Sequence, residues 1–253
     1  MNFNFIPERY RFIVKHISPR AFAMMPWLSF TRSVTKVVGR ASRKINTKDL
    51  NDLNDSLSSV KVVAKLENMT LKESFSDLTK AQKTEIGDKI LTLYFEQLKR
   101  RRPVFFDLRP SRFSFDGKEL SWAPGNLFFE FDKEYLEGLN DIYTGFYTGD
   151  MELFDKALIR SGLVQEAWPK EDKEEVRQIF LDSFGSVITE KIAFTLSNFE
   201  KSFERLFIFY QDRRHKVKTD FSFLGSYLVT LYLSLDPLGQ KHDVAGIFNS
   251  LGE

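Results

Sequence analysis

The sequence contains no cysteine and only three histidines, and both scarcities limit the chemistry that it can perform. Without cysteine, the chain cannot form disulfides, thiolate nucleophiles or zinc sites with sulfur ligands. His16, His215 and His242 lie far apart and lack the His-x-x-x-His or Glu-x-x-His spacing of metal sites on helices. We therefore predict no metal site and interpret the three histidines as ordinary surface or packed residues.

Several motifs of nucleotide-binding proteins and hydrolases are also absent. The chain has no Walker loop, no dinucleotide glycine fingerprint and no Gly-x-Ser-x-Gly elbow. No apolar run reaches the roughly 18 uncharged residues of a membrane span, and Pro7, Glu8 and Arg9 interrupt any signal-peptide core. We expect a cytoplasmic protein and leave peripheral membrane association open.

Charge and composition indicate an ordinary globular protein. The 37 basic and 35 acidic residues give a net charge of +2, which is too balanced for nucleic acid to be the main partner. A chain of 253 residues with 42% hydrophobic content can bury a substantial core, and most of its 26 phenylalanines are expected to fill it.

Helical periodicity dominates the sequence. Apolar residues recur at intervals of three and four in six segments, which predicts a mainly helical fold. The predicted helices are Thr84–Arg101, Glu134–Tyr147, 149–162, Asp172–Phe184, Val187–Tyr210 and Phe221–Leu235. Residues 46–60 are rich in Asn, Asp and Ser and predict a linker or a short, loosely held helix. We therefore divide the chain into an extension with a linker, 1–60, and a helical domain, 61–253.

Two basic segments are candidates for contact with partners. Residues 1–45 mix apolar and basic side chains, so this arm packs on the body, lies on an anionic membrane or docks on a partner, and we favour packing on the body. Positive charge at a helix C-terminus complements the helix dipole, and four basic residues follow one another at the end of the helix that begins at Thr84. A contact with phosphate or lipid headgroups, or with a protein, is the alternative role of this run, which consists of Lys99, Arg100, Arg101 and Arg102.

A β-hairpin between two short loops is the one segment with chemical character. Residues 113–115 and 118–122 are rich in aromatic and apolar residues, and Asp116-Gly117 between them tolerates the positive φ of a tight turn. Before the hairpin stands 106–112, FDLRPSR, and after it 122–125, WAPG. In kinases, loops placed in this way hold the catalytic Asp, a metal-binding Asn and an Asp-Phe-Gly.

The segment resembles the AarF/UbiB family of atypical kinases, in which the loops read roughly His-Ala-Asp-x-His-Pro-Gly-Asn and Asp-Phe-Gly. The resemblance matches Asp107 to the catalytic Asp and Pro110 to the loop Pro. Arg112 stands at the position of the metal-binding Asn, and Ala123 at that of the Asp in Asp-Phe-Gly. Further departures replace a His and a Gly of the family pattern with Arg109 and Ser111. The resemblance therefore implies that both metal ligands are lost and that Asp107 is vestigial.

Three further segments resemble the same family, in the same order along the chain. Residues 61–71, KVVAKLENMTL, are similar to its strand-and-hinge segment, 149–164 to its post-catalytic helix and 223–237 to its C-terminal helix ending in Leu-Asp-Pro. The resemblance covers about 61–250 and implies a kinase-like C-lobe. Too few residues precede it for a complete N-lobe, which we expect to be truncated or absent. Lys36 and Lys44 are the only candidates for its phosphate-binding Lys.

These features predict a non-catalytic, pseudokinase-like binding or scaffold protein with a protein partner and no cofactor. Arg109 and Arg112 are candidates to bind an anion beside Asp107. One alternative is an active phosphotransferase or ATPase that uses Asp107 with ATP and Mg²⁺. The other is a peripheral membrane or lipid-handling protein, for which the family resemblance implies a link to isoprenoid-quinone metabolism.

Overall fold

The computed structural model describes residues 27–41, 43–100, 103–184 and 190–252, together with Glu8, Arg11, Arg20 and Met24. Ten α-helices contain most of these residues, so the predicted mainly helical class is confirmed. The helices are α1 (Trp27–Ala41), α2 (Thr47–Asn54), α3 (Leu71–Ser74), α4 (Lys80–Lys99), α5 (Lys133–Thr148), α6 (Met151–Arg160), α7 (Lys170–Phe184), α8 (Leu196–Asp212), α9 (Thr219–Leu235) and α10 (Val244–Ser250).

Short strands form three small sheets. The strands are β1 (Lys61–Val62), β2 (Val104–Phe105), β3 (Phe113–Phe115), β4 (Leu120–Trp122), β5 (Phe128–Phe129), β6 (Ile192–Ala193) and β7 (Lys241–His242). One sheet has the order β1-β4-β3, in which β1 is parallel to β4 and β3 is antiparallel to it. The other two are the antiparallel pairs β2-β5 and β6-β7.

The predicted hairpin is present, with a wider turn than its sequence indicated. Phe113 lies opposite Trp122, and Phe115 lies opposite Leu120, so four residues form the turn. Asp116 Oδ1 accepts hydrogen bonds from the backbone amides of Lys118 and Glu119, at 2.9 and 2.8 Å. Gly117 has a φ of +99°, which favours glycine because it has no Cβ. This side-chain bonding stabilises the longer turn.

Helices α4 and α9 form the centre of the core. On α4 the predicted stripe is buried, including Ile86, Ile90 and Leu93. The helix begins four residues earlier than predicted because Thr79 and Gln82 form a capping box, which satisfies backbone donors at its first turn. Many phenylalanines fill the core as expected, among them Phe95, Phe106, Phe113, Phe154 and Phe223.

The predicted helix Val187–Tyr210 is wrong in its first part. Residues 185–189 lie outside the described ranges, and β6 then pairs with β7 near the end of the chain. The helix begins only after Thr195, whose Oγ1 accepts a 3.2 Å hydrogen bond from the backbone amide of Asn198. A distant strand partner and a threonine cap therefore override the helical periodicity of this segment.

The described part of the segment before residue 61 packs against the helical body. The side chains of Phe30, Val34 and Val37 are buried on one face of α1 and belong to the same hydrophobic core as the rest of the protein. Leu53 and Val60 are buried in it as well. Residues 47–54 form a helix, so of the two structures expected for this region, a linker or a short helix, the helix is present. The division of the chain at residue 60 stays a prediction.

Helix length and polarity bear on the membrane alternatives. None of the described helices combines the length and the apolar character that a membrane span requires.

Candidate functional site

The two loops of the candidate site begin and end at one pair of strands. Val104 on β2 lies opposite Phe129 on β5, and the backbone amide of Phe106 donates a 3.2 Å hydrogen bond to the carbonyl of Leu127. The chain from Phe106 to Leu127 therefore starts and ends at the same pair of strands. Both loops and the hairpin lie inside this closed excursion.

Buried polar side chains fix three successive carbonyls of the first loop. Thr230 Oγ1 donates a 2.6 Å hydrogen bond to the Phe106 carbonyl, and Ser234 Oγ donates one to the Leu108 carbonyl. Between them, Trp122 Nε1 donates a 3.2 Å hydrogen bond to the Asp107 carbonyl. Helix α9 and the hairpin thus hold the backbone on both sides of Asp107, which positions its carboxylate.

Our sequence predictions missed these anchors. Thr230 and Ser234 are hydroxyl residues four apart on an otherwise apolar helix, and both are fully buried. Buried polar groups require hydrogen-bond partners, so two hydroxyls on one buried helical face indicate a backbone segment docked against it. Gln97 on α4 has the same role, because its side-chain amide bonds both the N–H and the carbonyl of Phe105, at 2.9 and 3.1 Å.

Asp107 is fully buried and bonded to two arginines. Arg109 Nε donates a 2.7 Å hydrogen bond to Asp107 Oδ1, and Arg109 Nη2 donates one of 2.7 Å to Oδ2. Arg112 Nε donates a further 2.7 Å hydrogen bond to Oδ2. The arginine side chains remain 22% and 33% exposed. Each carboxylate oxygen therefore carries a charge-assisted hydrogen bond, and the arginines shield it from solvent.

Local backbone geometry explains why both arginines reach the same carboxylate. Residues 110–112 form one 3-10 turn, which Pro110 begins with its fixed φ. The turn places Arg109 and Arg112 three residues apart on one side. The backbone amide of Ala123 donates a 2.9 Å hydrogen bond to the Arg112 carbonyl, so the second loop returns to the first. The structure thus brings together Asp107, Arg109, Arg112 and Ala123.

This set of side chains does not fit a divalent cation. Mg²⁺ in phosphotransfer sites is held by carboxylate and amide oxygens, whereas both oxygens of Asp107 are engaged by guanidinium groups. Arg112 is cationic and Ala123 has no ligand atom in its side chain. Within the part of the chain that the structure describes, no group of three or more His, Asp or Glu residues is arranged to bind a metal.

The excess positive charge of the Asp107, Arg109 and Arg112 cluster is compatible with an anion contact, which stays a prediction. Two guanidinium groups face one carboxylate, so the cluster carries a net charge of +1 at neutral pH. Gly125 has a φ of +64° and lies beside Arg112, and a Cβ at this position would be 3.7 Å from Nη2. The Arg112 side chain is one-third exposed, so part of its guanidinium group faces solvent, and the predicted anion contact would be there.

The predicted N-lobe lysines do not form the expected ion pair. A kinase strand Lys pairs with a helix Glu. Lys36 lies on α1 and Lys44 follows it, and both side chains are exposed. Across the described residues, no ion pair joins either lysine to a carboxylate.

Within the described residues, both candidate membrane contacts include side chains that have partners in the protein. Lys99 Nζ donates a 2.7 Å hydrogen bond to the Gly252 carbonyl and lies 4.5 Å from the centre of the Phe248 ring. Arg101 and Arg102 lie outside the described residues, as do most of residues 1–26. The apolar face of α1 is buried, so it would have to detach before it could enter a bilayer. Membrane binding stays a prediction.

A polar groove of about 700 Å³ lies beside the hairpin turn, between α2, β1 and α4. Three lysines line it. Lys61 forms an ion pair with Glu119 at 3.4 Å and Lys89 one with Glu85 at 2.8 Å. Lys118 is exposed, and among the described side chains no carboxylate pairs with it. The groove therefore offers hydrogen-bonding groups and an uncompensated positive charge.

Comparison with known proteins adds no relative. No family model matches the chain, and no curated protein matches it. The resemblance to the AarF/UbiB kinases rests on the motifs quoted above and stays a prediction.

Proposed function

We propose that this protein is a non-catalytic binding or scaffold protein built on a degenerate, AarF/UbiB-type kinase-like domain. The mainly helical fold supports the proposal, as does a hairpin set between two loops that meet at Asp107. In this proposal Asp107 is a structural residue. Its function is to hold the two loops in a fixed shape for recognition.

The observation that carries the proposal is the double pairing of the Asp107 carboxylate. A general base must present a free oxygen to the hydroxyl of its substrate, and a metal ligand must present one to the ion. Asp107 presents neither, because it is buried and both oxygens accept hydrogen bonds from arginines. Phosphoryl transfer without metal-bound charge loses several kcal/mol of transition-state stabilisation.

The groove beside the hairpin is the partner surface in this proposal. It is lined mainly by polar side chains, and Lys118 gives it positive charge. Since opposite charges guide association, the partner segment that fits is polar and acidic. The hairpin turn forms one wall of the groove, so the fixed loops support the surface.

Turnover of ATP with Mg²⁺ tests the non-catalytic part. Phosphate release should stay at the background rate for the wild-type protein, for Asp107→Asn and for Asp77→Asn, a control at an exposed carboxylate. Turnover that Asp107→Asn abolishes and Asp77→Asn preserves would establish the enzyme instead.

Affinity purification from the native cell tests the binding part. We expect a fixed, near-stoichiometric protein partner whose recovery falls with Lys118→Glu and not with Lys216→Glu, a matched charge reversal outside the groove. Recovery of no stoichiometric partner would contradict the scaffold function. Equal recovery with both variants would move the partner to another surface.

A further inference from the structure

An apolar cavity of about 380 Å³ lies beside α4, on the side of the helix opposite the polar groove. Asp107 does not line it. Its walls come from α4, α5, α7, α8, α9, α10 and the segment around β6. Pockets that bind small molecules have volumes of about 300–1,000 Å³ and mainly hydrophobic, aromatic walls. The size and the lining of this cavity both meet that description.

Packed aromatic rings line the cavity. Phe194 and Phe199 both contact Tyr232, with ring centres 5.1 and 5.0 Å apart, and Phe199 contacts Phe203 at 4.4 Å. These contacts give the cavity an aromatic wall. Since unfilled apolar space in a core is destabilising, an apolar ligand that fills it would stabilise the fold.

Polar side chains mark the mouth of the cavity. Asp182 is neutralised there, because it accepts hydrogen bonds from Arg205 and from Gln178. Lys201 is exposed at the same mouth, and no carboxylate among the described residues forms an ion pair with it. The cavity therefore combines an aromatic interior with one uncompensated positive charge at its entrance.

We propose that this cavity binds a single-chain amphiphile with an anionic end, such as a medium-chain carboxylate. The chain lies among Tyr147, Phe199 and Tyr232, and the carboxylate lies at Lys201. The interior accounts for affinity through apolar burial, and the lysine accounts for the preference for an acidic head over a neutral one. This ligand site is independent of the proposed binding function at the hairpin.

Calorimetric titration with decanoate and with decanol tests the assignment. We expect saturable binding of decanoate, about five- to tenfold tighter than that of decanol, which has no charge for Lys201 to attract. Lys201→Glu should weaken decanoate binding by at least that factor and leave decanol unchanged, whereas Lys216→Glu should alter neither. Absence of saturable decanoate binding up to about 1 mM would overturn the proposal.

Filling the cavity gives a second, independent test. Leu228 lines it and is only partly buried, so Leu228→Trp adds a ring inside the space. This variant should abolish binding of both ligands while its far-ultraviolet circular dichroism stays that of the wild type. Ser202→Phe, which fills the mouth, serves the same purpose if Leu228→Trp does not fold. Unchanged decanoate binding to a folded, filled variant would show adsorption elsewhere and overturn the proposal.

Discussion

Arg112 Nε donates a 2.7 Å hydrogen bond to Asp107 Oδ2, across the gap between the two ends of one loop. Arg112 stands where the kinase resemblance predicts a metal-binding Asn, and Asp107 where it predicts the catalytic Asp. The Arg112 guanidinium group therefore places a positive charge beside the Asp107 carboxylate, at the position where the resemblance predicts a metal ligand. Because this cation is covalently part of the chain, the pair fixes the loop without any ligand.

Replacing the buried carboxylate should destabilise the protein. Asp107→Ala removes the acceptor of three hydrogen bonds and leaves two guanidinium groups facing each other. Breaking a buried ion pair costs about 3–5 kcal/mol, and the partial exposure of both arginines reduces this to about 2–3 kcal/mol. Urea denaturation of the two proteins measures the difference in the free energy of unfolding.

A surface ion pair provides the control for this substitution. Asp141 pairs with Arg160 at 3.0 Å, and both side chains are more than a third exposed. Asp141→Ala should cost less than about 1 kcal/mol. A stabilising effect of Asp107→Ala would contradict a structural role, since removal of residues retained for catalysis commonly raises stability.

The contact between α5 and α6 depends on a glycine. A Cβ at Gly145 would lie 2.6 Å from the backbone nitrogen of Phe154 and 2.8 Å from the carbonyl oxygen of Asp150. Because backbone atoms cannot move aside, Gly145→Ala should destabilise the protein by about 1–3 kcal/mol. Gly39→Ala on α1 is the matched control, since nothing lies within 4 Å, and it should stabilise by about 0.5–1 kcal/mol. Thermal unfolding of both variants gives the comparison, and equal shifts would refute this packing.

Stability should depend on pH through His215. Burial lowers the pKa of its imidazole from the usual 6.5, and the hydrogen bond to the Gly162 carbonyl offsets only part of this effect. The unfolded chain then binds a proton at a higher pH than the folded one, so the stabilising contribution is complete above pH 6.5 and is lost as the pH falls toward the folded pKa. His215→Gln should reduce this loss below pH 6.5. Parallel stability curves for the two proteins between about pH 5 and 7.5 would contradict the assignment.

The boundary predicted at residue 60 can be tested by truncation. Leu53, Leu57 and Val60 are buried in the common core, and Glu96 accepts hydrogen bonds from Ser58 and Ser59. A fragment of 61–253 would expose this surface, so it should melt well below the full chain and exchange the amide protons of α4 faster. Glu96→Gln in the full chain should cost about 1–2 kcal/mol. A fragment as stable as the full protein would show that 1–60 is a separate extension.

Local patterns in the sequence predicted much of the helical architecture. The apolar stripe of α4 and the segment of α9 are where periodicity placed them, and the hairpin follows from Asp116-Gly117 between two aromatic runs. These features depend on residues close together in the chain. The start of α8 was wrong because the β6-β7 pair joins segments about fifty residues apart, and periodicity contains no information on such a partner.

The members of the candidate site were predicted, but not their geometry. The sequence showed Asp107, Arg109 and Arg112 near one another, and their charges permitted either an open anion site or a closed ion pair. In the structure the ion pair is closed, and the loop that carries it is fixed by hydrogen bonds from Thr230 and Ser234, on a helix more than a hundred residues away in the sequence. The aromatic cavity was missed because the phenylalanines were expected to fill the core, and the helices that line the cavity meet only in the folded chain.

Binding of a divalent cation tests the central proposition most directly. Electron paramagnetic resonance of Mn²⁺, used as a probe in place of Mg²⁺, should give the same spectrum for Mn²⁺ and ADP with the protein as without it, and identical spectra for the wild type and Asp107→Asn. A bound-ion spectrum that requires nucleotide and disappears in Asp107→Asn would contradict the structural role of Asp107 and restore the phosphotransferase.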